Sequence, residues 1–444
     1  MFSSPDWTRF LDRASRVRVL VENASPQAGQ DDAEYERCSA VLLAMAALRD
    51  GPVLLTPHLR TLEWQSRHAP FSPAINLFIS PCLQSLEIDA KLLVNHIIRV
   101  PLGDVCPQLK HLKISGNARS AAGTISSVLQ RLHCLETVAC ATLDNDAFVH
   151  LAQLKRLSYV AVDMRWSVLH LDALCDRLCP GSFPNLQSLY WKDYNLDTLA
   201  EMFLMPDVSP SNVHLEIESF CTSSSLRAFL HAFTTKFPHT RDFSLVHDTD
   251  AGKRFGLQVG APGREHQLDA CDLQPLLTLR SLRALNLADL GHLRLDDGLV
   301  KAIASAAPEL ERLRLGTDAA NAPSSVTFGG LLALLQHCPK LQSLGVCIDA
   351  GDMLSYQDTA VCHARVTHLR LEGSILGSRR ADVDAMLRRV LPGLMTVEES
   401  VDRVKRRVRD VGAVASWEDA AAGVGGGRTT GRRTRNSFES ACGW

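Results

Sequence analysis

The residues with the clearest capacity for chemistry are cysteines and histidines that could bind a metal ion. Cys175 and Cys179 are four residues apart, which would place them on one face of a helix, and His170 lies close by. A structural zinc site needs further ligands at zinc-finger spacing, and no second pair follows. The sequence therefore favours reduced cysteines that are buried like small apolar side chains, as at Cys106 and Cys338, and predicts no metal and no other cofactor.

Catalytic motifs are also missing from the sequence. It contains no Gly-x-Ser-x-Gly, no His-Glu-x-x-His and no Gly-x-x-x-x-Gly-Lys. The segment from His247 to Asp250 could ligate a cation, although acids in solvated turns are far commoner. His111, His214 and His368 each occupy the third position of a repeated phrase, so we expect exposed polar residues there. We predict no catalytic residue and no enzymatic activity.

The repeated phrase is Leu-x-x-Leu-x-(Leu/Ile/Val/Trp), often preceded by proline, and it recurs about every 28 residues. A period in this range with this phrase is typical of leucine-rich repeats, in which each repeat contributes one strand and one helix to a horseshoe. Between the phrases, apolar residues follow helical spacing, and a proline after several helices starts the next strand. The predicted fold is an α/β leucine-rich-repeat solenoid with a parallel inner sheet and outer helices. The clearest copies begin at Leu59, Leu83, Leu109, Leu186, Leu310 and Leu341.

Weaker copies fill the gaps and bring the total to twelve. Two intervals are irregular: a short step to Leu154 indicates a misread repeat, and the long step from Thr240 to Leu282 indicates an inserted loop. Residues 247–268 have the loop composition, rich in glycine, that such an insertion requires. The weaker copies begin at Leu135, Leu154, Asn212, Thr240, Leu282 and Val366.

The repeats define the predicted domain organisation. Residues 1–58 are interpreted as an N-terminal capping region with a first degenerate repeat, and residues 59–395 as the solenoid. Residues 396–411 are predicted to form an amphipathic helix, because valines at positions 397, 401, 404, 408 and 411 share one helical face. This helix could cap the last repeat, or it could bind a partner or a membrane surface. Residues 412–444 are expected to be a disordered Gly/Arg tail.

Composition limits the classes of partner. The chain has 444 residues, a formal net charge of −2 and a pI of about 6.8, so no nucleic acid and no anionic membrane is expected as a main partner. No run of 18 apolar residues and no N-terminal signal pattern occurs in the sequence. A cytoplasmic or nuclear location is therefore expected.

Four segments resemble a known family. Residues 6–20, 54–64, 77–86 and 326–344 are similar, in type and in order, to the leucine-rich part of fungal, especially basidiomycete-type, F-box proteins. The resemblance extends over roughly residues 6–395 and concerns the repeat region only. It implies a substrate-recognition subunit of a Skp/cullin/F-box ubiquitin ligase, in which the repeats hold a protein target.

The resemblance does not include the F-box itself. An F-box would have to lie upstream of the phrase that starts at Asp6, and it is not present in this sequence. We therefore expect a Skp-type adaptor as a partner only if an upstream F-box exists. The alternative is a stand-alone leucine-rich-repeat scaffold with no link to a ligase.

Strand alternation supplies the candidate partner-binding residues. In Leu-x-x-Leu-x-Leu, the residues that flank the second leucine point away from the helices, onto the concave face of the sheet. These positions change from acidic to basic along the chain, and arginine and tyrosine are enriched at binding hot spots. The alternative is that parallel strands simply need solvated residues there. The candidates are Glu63, Glu87, Asp89, Tyr190, Lys192, Glu216, Arg312, Arg314 and Arg370.

Overall fold

The chain folds into two compact units. Among the described residues, the first comprises those between 4 and 186 together with residue 208, and the second comprises residues 187–204 and those between 209 and 398. The computed structural model describes residues 4–22, 40–41, 44, 54–64, 74–98, 100–116, 119–165, 167, 169–170, 173–174, 176–204, 208–248, 266–288, 290, 292–316, 326–356, 359–371, 374 and 380–398.

The first unit contains a parallel sheet in chain order. Its strands pair so that the second leucine of each phrase aligns with that of the next, as in Leu62, Leu86, Leu112 and Val138. These anchors are buried, and the residues between them are half-buried, which is the alternation expected of a sheet covered on one face. The strands are β1 (Val19–Glu22), β2 (Thr61–Trp64), β3 (Ser85–Asp89), β4 (His111–Ser115), β5 (Thr137–Cys140) and β6 (Tyr159–Asp163).

Short helices connect these strands. The helix that follows β5 is capped by Asp144, whose side chain accepts a hydrogen bond from the Ala147 amide at 2.9 Å, and it buries Phe148 and Leu151. The described helices of this unit are α1 (Ser4–Ala14), α2 (Lys91–Val94), α3 (Leu102–Val105), α4 (Ala122–Leu129) and α5 (Asn145–Gln153), with a 3₁₀ turn at Arg119–Ala121.

The second unit repeats the same architecture with a longer parallel sheet. Its sheet strands, again in chain order, are β7 (Ser188–Asp193), β8 (Asn212–Ile217), β9 (Asp242–His247), β11 (Ala284–Ala288), β13 (Arg312–Gly316), β14 (Ser343–Gly345), β15 (His368–Arg370) and β16 (Thr396–Glu398). A separate short parallel pair is formed by β10 (Gln267–Leu268) and β12 (His292–Leu293).

Helix boundaries in the second unit follow from caps and prolines. Thr222, Asp296 and Thr327 accept hydrogen bonds from backbone amides at the helix starts. Three helices are each followed by a single residue and then a proline. The residue before a proline is driven out of the helical conformation, so each helix ends just before it. The helices are α6 (Leu196–Ala200), α7 (Ser223–Lys236), α8 (Asp297–Ala306), α9 (Phe328–His337) and α10 (Arg380–Val390), with 3₁₀ segments at Glu201–Leu204, Ala270–Thr278 and Met353–Tyr356.

Both units are thus leucine-rich-repeat structures of the α/β class, which confirms the predicted fold. The anchors Leu313 and Leu315 are buried, as are Leu344 and Leu369 on the two following strands. The domain boundaries predicted from the sequence, with a solenoid over residues 59–395, stay a prediction.

The strand register explains one of the two irregular intervals and also one of the weaker copies. Val138 pairs with Val160, so the equivalent of Leu135 is Leu157 and the predicted repeat start at Leu154 was misplaced by three residues. In the second unit, Leu189 pairs with Val213. The strand phrase predicted to start at Asn212 is therefore shifted by two residues, which keeps every side chain on its predicted face because strand alternation has a period of two.

The end of the described chain differs from the prediction. Thr396–Glu398 form β16, whose Val397 pairs with Leu369, so these three residues continue the sheet rather than begin an amphipathic helix. The amide of Met395 donates to the carbonyl of Thr367, which starts this pairing. β-Branched Thr396 and Val397 suit a strand, and the valine spacing alone did not reveal this. The remainder of the predicted helix, residues 399–411, and the tail, residues 412–444, lie outside the described residues.

Candidate functional site

The second unit presents a row of polar side chains along its sheet. In the strand register, Tyr190 aligns with His214, then Ser244, Asn286, Arg314, Gly345 and Arg370, each on the next strand. The alternate residues, such as Leu313 and Leu315, are buried in the core. We call the sheet surface that carries this row the polar face of the second unit.

One end of the polar face holds a buried ionic cluster around Lys192. The ammonium group of Lys192 is fully buried and donates to Glu216 on β8 and to Oδ2 of Asp248 at 2.5 Å. The Tyr190 hydroxyl donates to the other carboxylate oxygen of Glu216. We refer to Tyr190, Lys192, Glu216 and Asp248 as the lysine cluster. Its single cation and two carboxylates are satisfied within the chain.

The lysine cluster corrects the expectation that its members would be exposed. Lys192 and Glu216 flank core anchors as predicted, yet both are buried. The reason lies in the register, since Glu216 pairs directly with Lys192 rather than with Tyr190. Asp248, one residue beyond β9, then supplies a second carboxylate. A buried ammonium group requires such partners because its desolvation is costly.

His214 packs against the lysine cluster. Its ring stacks on Tyr190 with ring centroids 4.8 Å apart and an interplanar angle of 11°. Desolvation lowers the pKa of His214, and the nearby carboxylate of Glu216 opposes this effect only in part. The expectation of an exposed polar histidine is therefore wrong for His214. The surroundings of His214 favour the neutral form of its imidazole ring.

A second charged contact crosses the polar face over a small residue. Arg312 on β13 donates to Oδ2 of Asp242 on β9 at 3.0 Å, and Ala284 of β11 lies between them in the register. Burial raises the pKa of Asp242, and the guanidinium of Arg312 opposes that rise. Arg312 is thus held by a carboxylate of its own chain, although the sequence assigned it to solvent.

Arg314 and Arg370 form the third feature of the polar face. They flank Gly345 in the register, and both side chains are half-buried. A methyl group added at Gly345 would lie 3.0 Å from Cγ of Arg314 and 3.6 Å from Cβ of Arg370. The stems of both arginines therefore close around the space that the missing side chain leaves. We call Arg314, Gly345 and Arg370 the arginine pair site.

The acidic candidates of the first unit have separate roles. Glu63 and Glu87 are half-buried and opposite each other on β2 and β3, and Glu87 is paired with Lys113 at 3.0 Å. Asp89 ends β3, where its carboxylate accepts the amide of Lys91 at 2.8 Å. It also lies against Gly116, whose φ of 92° favours glycine. Asp89 is therefore a turn residue.

Two of the residues considered for metal binding, His170 and Cys179, lie within the described part of the chain. Cys175 lies outside the described residues, and Cys179 is a free, exposed thiol. Within the described part of the chain, no group of three or more His, Cys, Asp or Glu residues is placed to hold a metal ion. His247 instead stacks on Phe220 and contacts the Glu218 carbonyl through Nε2 at 2.8 Å, and Asp250 is not among the described residues.

The described cysteines behave as core residues where they are buried. Burial raises the pKa of the Cys106 and Cys338 thiols to about 12. The Cys106 thiol donates to the Ser80 carbonyl at 3.3 Å. Such thiols carry almost no thiolate at neutral pH, so they are unsuited to nucleophilic chemistry.

Sequence reasoning missed three residues of the polar face. Asp248 was recognised only as part of a loop composition, His214 only as an exposed repeat residue, and Asp242 was not singled out. The signal for Asp242 was available, because it stands immediately before the second anchor of its phrase, at the position equivalent to Arg312.

Among the described helices, none has the length and apolar composition needed to cross a membrane.

No protein-family model matches the chain, and no curated protein matches it in sequence. Among solved structures, the crystal structure of the Rad7 and Elc1 complex in yeast is similar at 14% identity and a TM-score of 0.45, covering 86% of this chain and 87% of that chain. A protein from Bacteroides fragilis is similar at 12% identity and a TM-score of 0.29, covering 60% of this chain and 66% of that chain. Neither likeness bears on partner or activity.

Proposed function

We propose that this chain is a protein-interaction module, not an enzyme, and that the polar face of its second unit holds a protein target. The observation that carries the proposal is the arginine pair site. Two arginine side chains flank Gly345 from the strands on either side of it, half-exposed to solvent, above a buried leucine core. Arginine in such a position is typical of binding hot spots, because its planar head forms directed contacts while its stem packs.

The rest of the polar face supports a binding role. The lysine cluster and the Arg312–Asp242 pair satisfy their charges within the chain, which fixes the surface around the arginine pair site. A surface that is organised before binding loses less conformational entropy when a partner docks. The proposed target surface is therefore centred on β13, β14 and β15.

The finer proposal is that these are the substrate-recognition repeats of a Skp/cullin/F-box ubiquitin ligase, acting in the cytoplasm or nucleus. Its support is the resemblance of residues 6–20, 54–64, 77–86 and 326–344 to fungal F-box proteins. The alternative is a scaffold without a ligase link. The genomic bases upstream of Met1 discriminate the two: an in-frame Leu-Pro-x-Glu helix start supports the ligase, and its absence supports the scaffold.

The experiment is affinity capture of target proteins from a basidiomycete extract. It compares the unaltered chain with a variant whose polar face is obstructed by a bulky side chain. Ser343 is half-buried on β14, beside Arg312 in the register, whereas Lys301 is exposed on α8. Ser343→Trp should abolish capture of the proteins that the unaltered chain retains, and Lys301→Trp should not. Melting curves of both variants identify any loss of folding. Equal capture by a folded Ser343→Trp variant would show that the target binds elsewhere.

A further inference from the structure

The lysine cluster brings one amine and two carboxyl groups together in a site that excludes water. Lys192 lies directly opposite Glu216 in the register of β7 and β8, and its ammonium group contacts both Glu216 and Oδ2 of Asp248. The side chain of Lys192 is fully buried, and those of Glu216 and Asp248 are only 11% and 8% exposed. An amine, a carboxyl group and a second carboxylate that can carry protons are the components needed to form an amide bond between side chains.

The backbone holds the amine and the carboxyl group of Asp248 next to each other. The amide of Asp248 donates to the carbonyl of Ile217 at 2.7 Å, so Asp248 is fixed beside β8, as Lys192 is. Oδ2 of Asp248 is 2.5 Å from Nζ of Lys192, which brings the carboxyl carbon close to the separation of about 3 to 3.5 Å at which oriented groups react readily. The pairing of β7, β8 and β9 therefore supplies the proximity that the reaction needs.

Glu216 is placed to move protons during such a reaction. One of its carboxylate oxygens contacts Nζ of Lys192, and the other accepts a hydrogen bond from the Tyr190 hydroxyl, which orients the carboxylate. Burial disfavours charged groups, so the transfer of a proton from the ammonium to the carboxylate of Asp248 costs less here than in water. A carboxylate within reach of the nitrogen then acts as a general base.

We propose that Lys192 and Asp248 condense within the folded chain to form an amide crosslink, with Glu216 as the proton carrier. Nζ gives one proton to the carboxylate of Asp248 and attacks its carbon, and Glu216 takes a second proton from the nitrogen. The new bond joins Nζ to Cγ, and one C–O bond of Asp248 breaks. The departing oxygen keeps the first proton and receives the second from Glu216, so that one water molecule leaves and Glu216 regains its carboxylate. No oxidant or other reactant takes part.

The crosslink goes beyond the proposed function, because it is a modification of the chain itself. It would join residues that are 56 positions apart in the sequence and tie β7 covalently to the residue that follows β9. Exclusion of water protects the new amide from hydrolysis. The polar face would then carry a covalent bond where the lysine cluster has an ion pair.

The test is mass spectrometry of the purified full chain, first intact and then after unfolding in urea and digestion with trypsin. The intact mass should be lower than the sequence mass by one water molecule. Trypsin does not cleave after an acylated lysine, and Lys192 is the only lysine or arginine between residues 178 and 226. The digest should therefore contain a branched peptide in which residues 178–227 are joined to residues 242–253 through Lys192 and Asp248.

The first unit offers a matched pair that should not react. Lys110 and Glu136 contact each other at 2.8 Å, but their side chains are 37% and 33% exposed to solvent. Trypsin should therefore cleave after Lys110 in the same digest. Glu216→Gln keeps the size of the side chain and removes the proton carrier, so that variant should have its full sequence mass. Glu136→Gln should retain the crosslink. Circular-dichroism melting curves establish that both variants are folded.

Two results with the unaltered chain would overturn the inference, and neither depends on a variant. One is a full sequence mass with cleavage after Lys192, which would leave the contact as an ion pair only. The other is loss of water without the branched peptide, which would place the dehydration elsewhere in the chain. A branched peptide of equal yield from folded Glu216→Gln would contradict the role of Glu216. Target capture by the polar face is measured separately and does not depend on these outcomes.

Discussion

The lysine cluster and the arginine pair site occupy one sheet surface and use their charges differently. Lys192 is fully buried and has two carboxylate partners and a neighbouring tyrosine within its own chain. Arg314 and Arg370 are half-buried, carry the same charge and share a glycine floor. A buried charge with partners in its own chain stabilises a particular fold, whereas half-exposed arginine side chains are also accessible to a binding partner.

The comparison also shows why residue type alone does not identify a site. Lys192 and Arg314 are both basic residues that flank a buried anchor, so the sequence gives them the same role. Burial and register separate them, because Glu216 stands directly opposite Lys192 while Gly345 stands opposite Arg314. Substitutions in the lysine cluster should therefore lower stability, whereas substitutions in the arginine pair site should affect binding.

The largest expected effect is the loss of the buried cation. Lys192→Met keeps the length of the side chain but leaves the carboxylates of Glu216 and Asp248 uncompensated, so the free energy of unfolding should fall by about 3 to 5 kcal/mol. Urea unfolding followed by tryptophan fluorescence measures this, since Trp191 is buried in the same strand. Lys301→Met, at an exposed position, serves as the control and should leave the free energy of unfolding unchanged. A stable Lys192→Met protein would mean that the cluster is not buried as described.

The next effect concerns the core beneath the arginines. Leu313→Ala removes a fully buried side chain between Arg312 and Arg314 and should lower the free energy of unfolding by about 2 to 5 kcal/mol, because neighbouring repeats cannot collapse into the cavity. Leu86→Ala should do the same in the first unit. Thermal melting checks both, with Lys301→Ala, at an exposed position on α8, as a neutral control. Equal melting temperatures for the unaltered chain and Leu313→Ala would contradict the strand register.

A smaller effect should depend on pH. The pKa of His214 is lowered by desolvation in the folded chain, so below its ordinary value of 6.5 the unfolded chain binds the proton more readily. Neutral His214 therefore contributes to the free energy of unfolding above pH 6.5, and this contribution is lost as the pH falls below 6.5. His214→Gln should reduce the loss of stability between about pH 7.5 and about pH 5.5. Urea unfolding midpoints at the two pH values test this; the same loss in both proteins would exclude His214.

The smallest effect on stability is expected at the arginine pair site. Arg314→Gln/Arg370→Gln should change the free energy of unfolding by less than about 0.5 kcal/mol, because half-exposed side chains of like charge contribute little to the fold. The urea titration used for Lys192→Met also measures this change in the free energy of unfolding. A loss comparable to that of Lys192→Met would place these arginines with the structural charges and remove the contrast between the two regions.

Much of the fold could be predicted because the repeat phrase encodes both burial and alternation. Leu86 and Ile88, like Leu313 and Leu315, were placed on the core face from spacing alone. Register between strands was harder to predict, because a shift of two residues preserves the apolar pattern, as happened at β8. That shift moved Glu216 from Tyr190 to Lys192 and so concealed the lysine cluster. Asp248 could not be identified either, because its contact with Lys192 joins residues 56 positions apart.

The most direct test of the central claim is site-specific photo-crosslinking on the polar face. A photoreactive phenylalanine analogue at position 343 of β14 should crosslink a protein target in extract, and the same analogue at position 301 of α8 should not. Arg314→Glu/Arg370→Glu should weaken the crosslink at 343. Crosslinking from position 301 with none from position 343 would contradict the account and move the interaction to the helical side of the second unit.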